Sequence, residues 1–180
     1  LHIDRLQIGC VRLGMEKPAP DALLGMLESA IASAGCHGSG VAKFVVTRGS
    51  GQRGYRYSSD SNPRILLGIF ESPVHVRDCW THGVEIRICN VRLGSQPALA
   101  GIKSLNRLEQ VLARSEWKTE SIAEGVMLDA DSNIVCGTMT NLFVVSDGVL
   151  STPAITTAGV SGVMRRHIIA RSATDGLDVT

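Results

Sequence analysis

Apolar residues recur along the chain first at a period near 3.6 and then at a period near 2, a switch that marks helices giving way to strands. In LHIDRLQIGCVRLGM, Leu1, Leu6, Ile8, Val11 and Leu13 keep helical spacing with no capping residue ahead of them, so the chain reads as starting inside an element. Pro20 and Asp21 open a second helix, DALLGMLESAIASAG, which runs to Gly35. VAKFVVTR, RILLGIFES and GVEIRICNVRL are strands by their β-branched content, the last two separated by a short polar segment from Pro73 to His82. Together these predict a first α+β unit over residues 1–92. LGSQPALAG is short, weakly patterned and contains Gly and Pro, so an interdomain linker is placed at 93–100. Beyond it, SLNRLEQVLARSEW puts Leu105, Leu108, Val111 and Leu112 on one helical face. The strands EGVMLDA, NIVC and NLFVV follow, then the loop TPAITTAGVSG and a last helix, GVMRRHIIARSA, so residues 101–180 form part of a second unit. GLDVT reads as a strand that starts and does not finish, and the chain is expected to be a piece of a longer protein.

Composition narrows the class. The 180 residues suffice for one good-sized domain or two small ones, and 44% hydrophobic against 19% charged residues excludes a disordered tail. The formal net charge of +1 carries no run of like charges, so neither nucleic acid nor an anionic membrane is expected as a partner. No apolar stretch approaches the roughly 20 residues of a membrane helix and no signal sequence opens the chain, which makes the cytoplasm the expected location. Cys10, Cys36, Cys79, Cys89 and Cys136 are scattered and never form CxxC; neither a disulfide framework nor a metal site is expected, and most should be small core residues.

Several motifs fail on context. GSGQRG, from Gly49 to Gly54, follows a strand but is succeeded by turn-forming residues and a proline, not by the helix that would hold a pyrophosphate. It reads instead as a glycine-rich hairpin bearing Arg48, Arg53, Tyr55 and Arg56. GIKS lacks both the adjacent Gly-Lys pair and the upstream glycine of a P-loop. There is no GxSxG elbow, and His2, His37, His75, His82 and His167 form no HxxxH pair, so they read as surface or structural residues.

Of 18 basic residues only Lys17, Lys43, Lys103 and Lys118 are lysine. Lys103 falls at the junction of linker and helix, with Ser104 placed as N-cap. A helix N-terminus and partial desolvation both favour the neutral amine that reacts with carbonyls. Taken alone, however, a lysine before a helix is more often a solvated surface residue than a catalytic one.

The ordered blocks HIDRL, TRGSGQRGY, AGIKSLNRLEQVLARSEW, EGVMLDADSNIVCGTMTNLF, GVLSTP and GVSGVMR change that balance. Over essentially its whole length the chain resembles the fold type IV pyridoxal-phosphate enzymes, which include branched-chain and D-amino acid aminotransferases. TRGSGQRGY and GIKSLNRLEQVLAR favour the aminodeoxychorismate lyases among them. The resemblance implies a two-domain α+β fold, a small α/β N-terminal domain and a larger pseudo-barrel domain, both incomplete here. It implies pyridoxal 5'-phosphate as cofactor, held covalently by Lys103, with its phosphate on Arg5 of the HxxRL motif and on the Val163 and Met164 amides. Anions at a helix start also follow from the backbone dipoles. The implied reaction turns 4-amino-4-deoxychorismate into 4-aminobenzoate and pyruvate, a step towards folate, in a homodimer. A small-molecule substrate with two carboxylates calls for arginine forks; Arg53 and Tyr55 are the first candidates, with Arg92, Arg107 and Arg48 behind them. One position departs from the pattern: Cys136 stands where the family carries the glutamate that pairs with the pyridine nitrogen, and a thiol is a weaker partner for a pyridinium. The competing readings are a class IV aminotransferase and an inactive homologue.

Overall fold

The computed structural model describes residues 1–35, 38–57, 62–73 and 78–175; Cys36, His37, His75 and the expected terminal strand at 176–180 lie outside them. Backbone contacts divide the chain into two compact units, Leu6–Val76 and Leu1–Arg5 with Arg77–Thr180. Helix α1 (His2–Arg12) contributes its first residues to one unit and the rest to the other.

In the Leu6–Val76 unit, α2 (Pro20–Ala34) begins on a proline, whose fixed φ and missing N–H suit the first helical turn, and stops at Gly35 with φ 59°. Both limits are the predicted ones. β1 (Gly40–Thr47) and β2 (Arg64–Glu71) pair antiparallel from Gly40↔Glu71 to Thr47↔Arg64. At Gly49, φ is +88° and a Cβ would sit 2.1 Å from the Asn62 carbonyl oxygen, so only glycine allows the two arms of the hairpin this close. GSGQRG is therefore hairpin backbone, not the phosphate loop of a nucleotide fold. Arg48 is engaged within the unit: it donates to the carbonyls of Leu13 and Gly14, the latter at 2.9 Å, and its guanidinium lies 3.8 Å over the Tyr57 ring.

The other unit contains α3 (Asp78–His82), a single helical turn in the segment read as polar loop, followed by β3 (Glu85–Leu93), α4 (Leu108–Arg114), β4 (Ile122–Asp129), β5 (Ile134–Gly137), β6 (Val144–Ser146), β7 (Val149–Ser151) and α5 (Val163–Asp175). The sheet order is β3-β4-β5, with β3 parallel to β4 and β4 antiparallel to β5; β6 and β7 form a separate hairpin. A parallel pair requires a long crossover, which residues 94–121 and α4 supply. This ladder joins β3 to β4 across the 93–100 segment.

The core of this unit is Cys89, Leu93, Ala113, Trp117, Met127, Val135, Cys136 and Ala158. Met127 is wholly buried, and burial of such a side chain contributes about 1.5–3 kcal/mol. The β3 ladder breaks its register between Ile88 and Arg92, and the amides released there are not lost. Glu116 accepts from Asn90 N at 2.8 Å and Val91 N at 2.9 Å, and pairs with Arg87 at 3.0 Å. Burial pushes the Glu116 carboxyl up, but these amides and Arg87 outweigh it and hold the group below its ordinary range. Trp117 is fixed by its indole N–H to the Ile122 carbonyl at 3.0 Å and capped by the Arg114 guanidinium 4.6 Å from the ring.

Helix α4 corrects two expectations. It is only seven residues long and starts at Leu108, with Arg107 rather than Ser104 preceding it and no side-chain cap. Residues 102–107 are instead drawn into a turn by Arg107, which donates to the carbonyls of Ile102 at 2.6 Å and Ser104 at 3.3 Å. The predicted apolar face is outside: Leu105, Leu108, Val111 and Leu112 are 58–72% exposed, and Ala113 is the α4 residue sealed against the sheet. The small Ala113 lets the helix approach the sheet closely, whereas the leucines would hold it off.

Gly125 on β4 faces the tightest point of this core. A Cβ there would lie 2.5 Å from Cys89 Sγ and 2.7 Å from the Trp117 ring. Gly125→Ala should therefore destabilise the protein by about 1–3 kcal/mol through overpacking, measured as a lower denaturation midpoint at unchanged slope. An unchanged midpoint would show that the ring can move aside at no cost.

Candidate functional site

Lys103 lies on the exposed turn between Ile102 and Arg107, five residues before α4. The helix-dipole argument for its amine therefore does not apply. What fixes this turn is backbone. Gly101 and Val160 form an isolated parallel bridge, Gly101 N donates to Gly159 O at 3.0 Å, and Ser161 N donates to Gly101 O at 3.1 Å. Together with the Arg107 bonds, they clamp the lysine loop from both sides. Arg107, one of the predicted substrate arginines, braces residues 102–104, and burial lowers its pKa.

The partner of this clamp is the segment entering α5. Asn141 holds it: its side-chain amide donates to Val160 O at 2.9 Å and its Oδ1 accepts from Gly162 N at 3.1 Å. A Cβ at Gly162 would fall 2.0 Å from that Oδ1, so residue 162 must be glycine for the bridge to close. Asn141–Phe143, read as the start of strand NLFVV, is therefore not strand; the strand begins at Val144.

Helix α5 starts at Val163 with no acidic residue in its first turn. Its leading amides have no acceptor within the helix, so Val163 and Met164 offer N–H groups to an anion. Two guanidinium groups accompany them. Arg166 donates to Leu1 O at 3.1 Å, the same carbonyl that accepts Arg5 N at 3.1 Å, and its Nε is buried without a hydrogen-bond partner among the described residues. Burial lowers the Arg5 pKa and Arg166 lowers it further. Two like charges beside a helix start free of carboxylates fit a bound dianion such as a phosphate ester. Arg165 is occupied elsewhere, on the Thr152 hydroxyl at 3.2 Å and Pro153 O at 2.9 Å.

Cys136, on β5 opposite Met127, is 5% exposed and packed in the core cluster. Burial pushes its pKa up to about 11; Arg107 opposes this, while Glu124 and Glu109 add to it. Cys10 and Cys89 are also buried, as predicted, whereas Cys79 is exposed. A neutral thiol fits a pyridine nitrogen poorly, in contrast with the good fit of the lysine loop and anion cradle to an aldehyde and a phosphate.

The residue that sequence reasoning missed is Glu124 on β4. Its carboxylate accepts from Gly125 N (2.9 Å), Thr138 N (3.0 Å), Thr138 Oγ1 (2.5 Å), Met139 N (3.2 Å) and Thr140 Oγ1 (3.0 Å). Burial pushes this carboxyl up, yet the donors, led by the Thr138 hydroxyl, hold it below its ordinary range. The available signal was a lone glutamate inside an otherwise apolar strand. Among the other substrate candidates, Arg92 donates to the Cys89 carbonyl at 2.5 Å and Asn90 O at 3.2 Å, while Arg53 and Tyr55 belong to the Leu6–Val76 unit and are exposed.

With this geometry in view, comparison with known proteins places the chain. The model of the amino-transferase class IV family matches residues 1–180, and the chain belongs to that family, whose members are pyridoxal-phosphate enzymes. It is similar to aminodeoxychorismate lyase from Vibrio harveyi, 35% identical over 178 residues that make up 99% of this chain and 65% of that protein. The crystal structure of 4-amino-4-deoxychorismate lyase from Pseudomonas aeruginosa superposes with a TM-score of 0.88 at 42% identity, covering 99% of this chain and 65% of that one. The branched-chain amino acid aminotransferase of Escherichia coli shares the fold, at a TM-score of 0.85 and 22% identity over 99% of this chain and 60% of that one. The chain thus spans about two thirds of the length of these lyases. The α+β class expected from the sequence holds.

The Cys136 environment makes a direct prediction. Its neutral thiol is favoured by the fold below the ordinary pKa of 9.0, and that contribution is lost as pH rises toward 11. Because the thiolate is the nucleophile, Cys136 should resist alkylation at pH 8 in the native protein while exposed Cys79 reacts, and both should react in denaturant. Equal native rates, read by peptide mass, would contradict the buried position.

Proposed function

We propose that the chain is part of a pyridoxal-phosphate-dependent aminodeoxychorismate lyase that converts 4-amino-4-deoxychorismate to 4-aminobenzoate and pyruvate. What supports the reading is the match along nearly the whole chain to two such lyases, with the lysine loop and the anion cradle on adjoining segments. In this reading Arg5, Arg166 and the Val163 and Met164 amides hold the cofactor phosphate, and Lys103 is the catalytic residue that carries the aldehyde carbon. When bound, the cofactor supplies an electron sink for the carbon bearing the substrate amine.

With the cofactor and substrate bound, Lys103 Nζ would be the base that removes the proton from the amine-bearing carbon. The carbon–oxygen bond to the enolpyruvyl group then breaks, that group leaves with the bonding pair and becomes pyruvate on protonation, and the ring becomes aromatic. Arg107 holds the loop so that Nζ returns to the same place after each turnover. Arg53, Tyr55, Arg92, Arg107 and Arg48 are candidates for the two substrate carboxylates; Arg48, Arg92 and Arg107 already serve backbone carbonyls, which puts Arg53 and Tyr55 first. The division of the complete enzyme into domains at residues 93–100, its assembly as a homodimer and its cytoplasmic location belong to the same proposal.

The second reading, a class IV aminotransferase, is favoured by the family model and by the shared fold of the branched-chain enzyme. It would use Lys103 and Arg5 identically and return the amine to a keto acid. The full-length protein should release pyruvate from 4-amino-4-deoxychorismate with no amino acceptor present; a requirement for a keto acid would establish the aminotransferase instead. Lys103→Ala should abolish the visible absorbance of lysine-bound cofactor and its trapping by borohydride, and retention of either would refute the role of Lys103.

The inactive-homologue reading rests on Cys136, and a single substitution addresses it. Cys136→Glu should raise turnover severalfold by providing the pyridine nitrogen with a carboxylate. An unchanged or lower rate would mean that residue 136 does not face that nitrogen, or that the site functions without the pair.

A further inference from the structure

Glu124 takes no part in the chemistry just described, yet it is the most heavily hydrogen-bonded side chain among the described residues. Its five donors all lie on Gly125 or on the turn 138–140, which connects Cys136 at the end of β5 to Asn141. A carboxylate has about four lone-pair directions, so this one is saturated, and the backbone and hydroxyls of 138–140 are committed to it. The packing allows no alternative. A Cβ on Gly137 would lie 2.2 Å from Thr140 Oγ1 and 2.9 Å from Glu124 Cδ, and Gly137 N donates to Thr140 O at 2.8 Å. The residue after this pinned turn is Asn141, whose amide fixes Val160 and Gly162 at the entrance to α5. Residues 159–161 are in turn bonded to Gly101, two positions from Lys103.

We infer that Glu124 is a positioning residue for the cofactor seat: by pinning the 138–140 turn it places Asn141, and through Asn141 it sets both the start of α5 and the lysine loop. The inference rests on the proposed function for its consequence but not for its mechanical part. Glu124 reaches the cofactor through three protein segments, each held by hydrogen bonds to the next, and touches none of the reacting atoms itself.

Glu124→Gln is nearly isosteric and separates this role from general stability. One amide oxygen can still accept from Gly125 N and Thr138, but the NH2 group then faces the Met139 N–H, which has no means of accepting. In the full-length apoprotein, amide exchange should accelerate at Thr138 and Met139 and, by a comparable factor of roughly tenfold, at Ser161 and Gly162. Affinity for pyridoxal phosphate should fall by a similar factor. Thr140→Val should reproduce both effects and Thr140→Ser should restore them, which keeps the test decisive if the Glu124 variant fails to fold. Faster exchange confined to residues 138–139, with Gly162 exchange and cofactor affinity unchanged, would reduce Glu124 to a local structural residue and overturn the inference. If the unsubstituted protein takes up no pyridoxal phosphate, the proposed function fails, while the exchange at Gly162 still decides whether Glu124 sets the α5 entrance.

Discussion

A carboxylate enclosed in a β-sheet must be supplied with donors or lose its charge, and Glu124 meets that requirement by organising the chain around itself. Two of its donors are threonine hydroxyls and three are backbone amides, and those on residues 138–140 cannot also continue β5 as a regular strand. This is why β5 stops at Gly137 and the chain turns sharply before Asn141. The same logic governs Glu116, which occupies the amides freed where β3 leaves its register. In both places an acidic side chain does what a neighbouring strand would do elsewhere. The unit gains irregular backbone at fixed positions without orphaned polar groups.

That irregular backbone is where the candidate chemistry sits. The lysine loop, Asn141 and the entrance to α5 all lie outside regular elements, yet each is held by at least two hydrogen bonds to a different segment. The electrostatics point the same way. Arg5 sits beside Arg166 at a cost, since partial burial and a like charge both disfavour its guanidinium. Such an arrangement is stable only if the rest of the fold compensates, and it becomes favourable once an anion neutralises the pair. The fold thus holds the two guanidinium groups together before any ligand arrives, as the proposed phosphate site requires.

The elements and the family were legible in the sequence, but the contacts that make the site were not. Helix α2 could be read to the residue, because Pro20 and Gly35 act through local backbone preferences. The β1–β2 hairpin, where glycine is imposed by close approach, was read to within a residue at each strand end. The α4 region could not: its leucines and valine have helical spacing, but periodicity identifies an apolar face without saying what covers it. Ser104 looked like an N-cap because serine before a helical pattern usually is one, and Arg107 overrode it by bonding two carbonyls from outside the helix. Glu124, Asn141 and Gly162 were invisible for a common reason, since their roles are pairwise and their partners lie 14 to 21 positions away.

Positions 124 and 136 differ in what the surrounding protein asks of them. Both lie in the β4–β5 part of the sheet, and both are places where a carboxylate is expected or found. At 124 the acid serves the protein, and every oxygen lone pair is taken by protein donors. At 136 no protein contact demands an acid; the thiol lies in the same core cluster as Met127, Val135 and Ala158, as an ordinary small apolar group. A change at 136 can therefore alter chemistry while leaving the fold intact, whereas a change at 124 cannot leave the fold untouched. The fold tolerates cysteine at 136 because the residue is buried among apolar neighbours and nothing in that cluster requires an acid there.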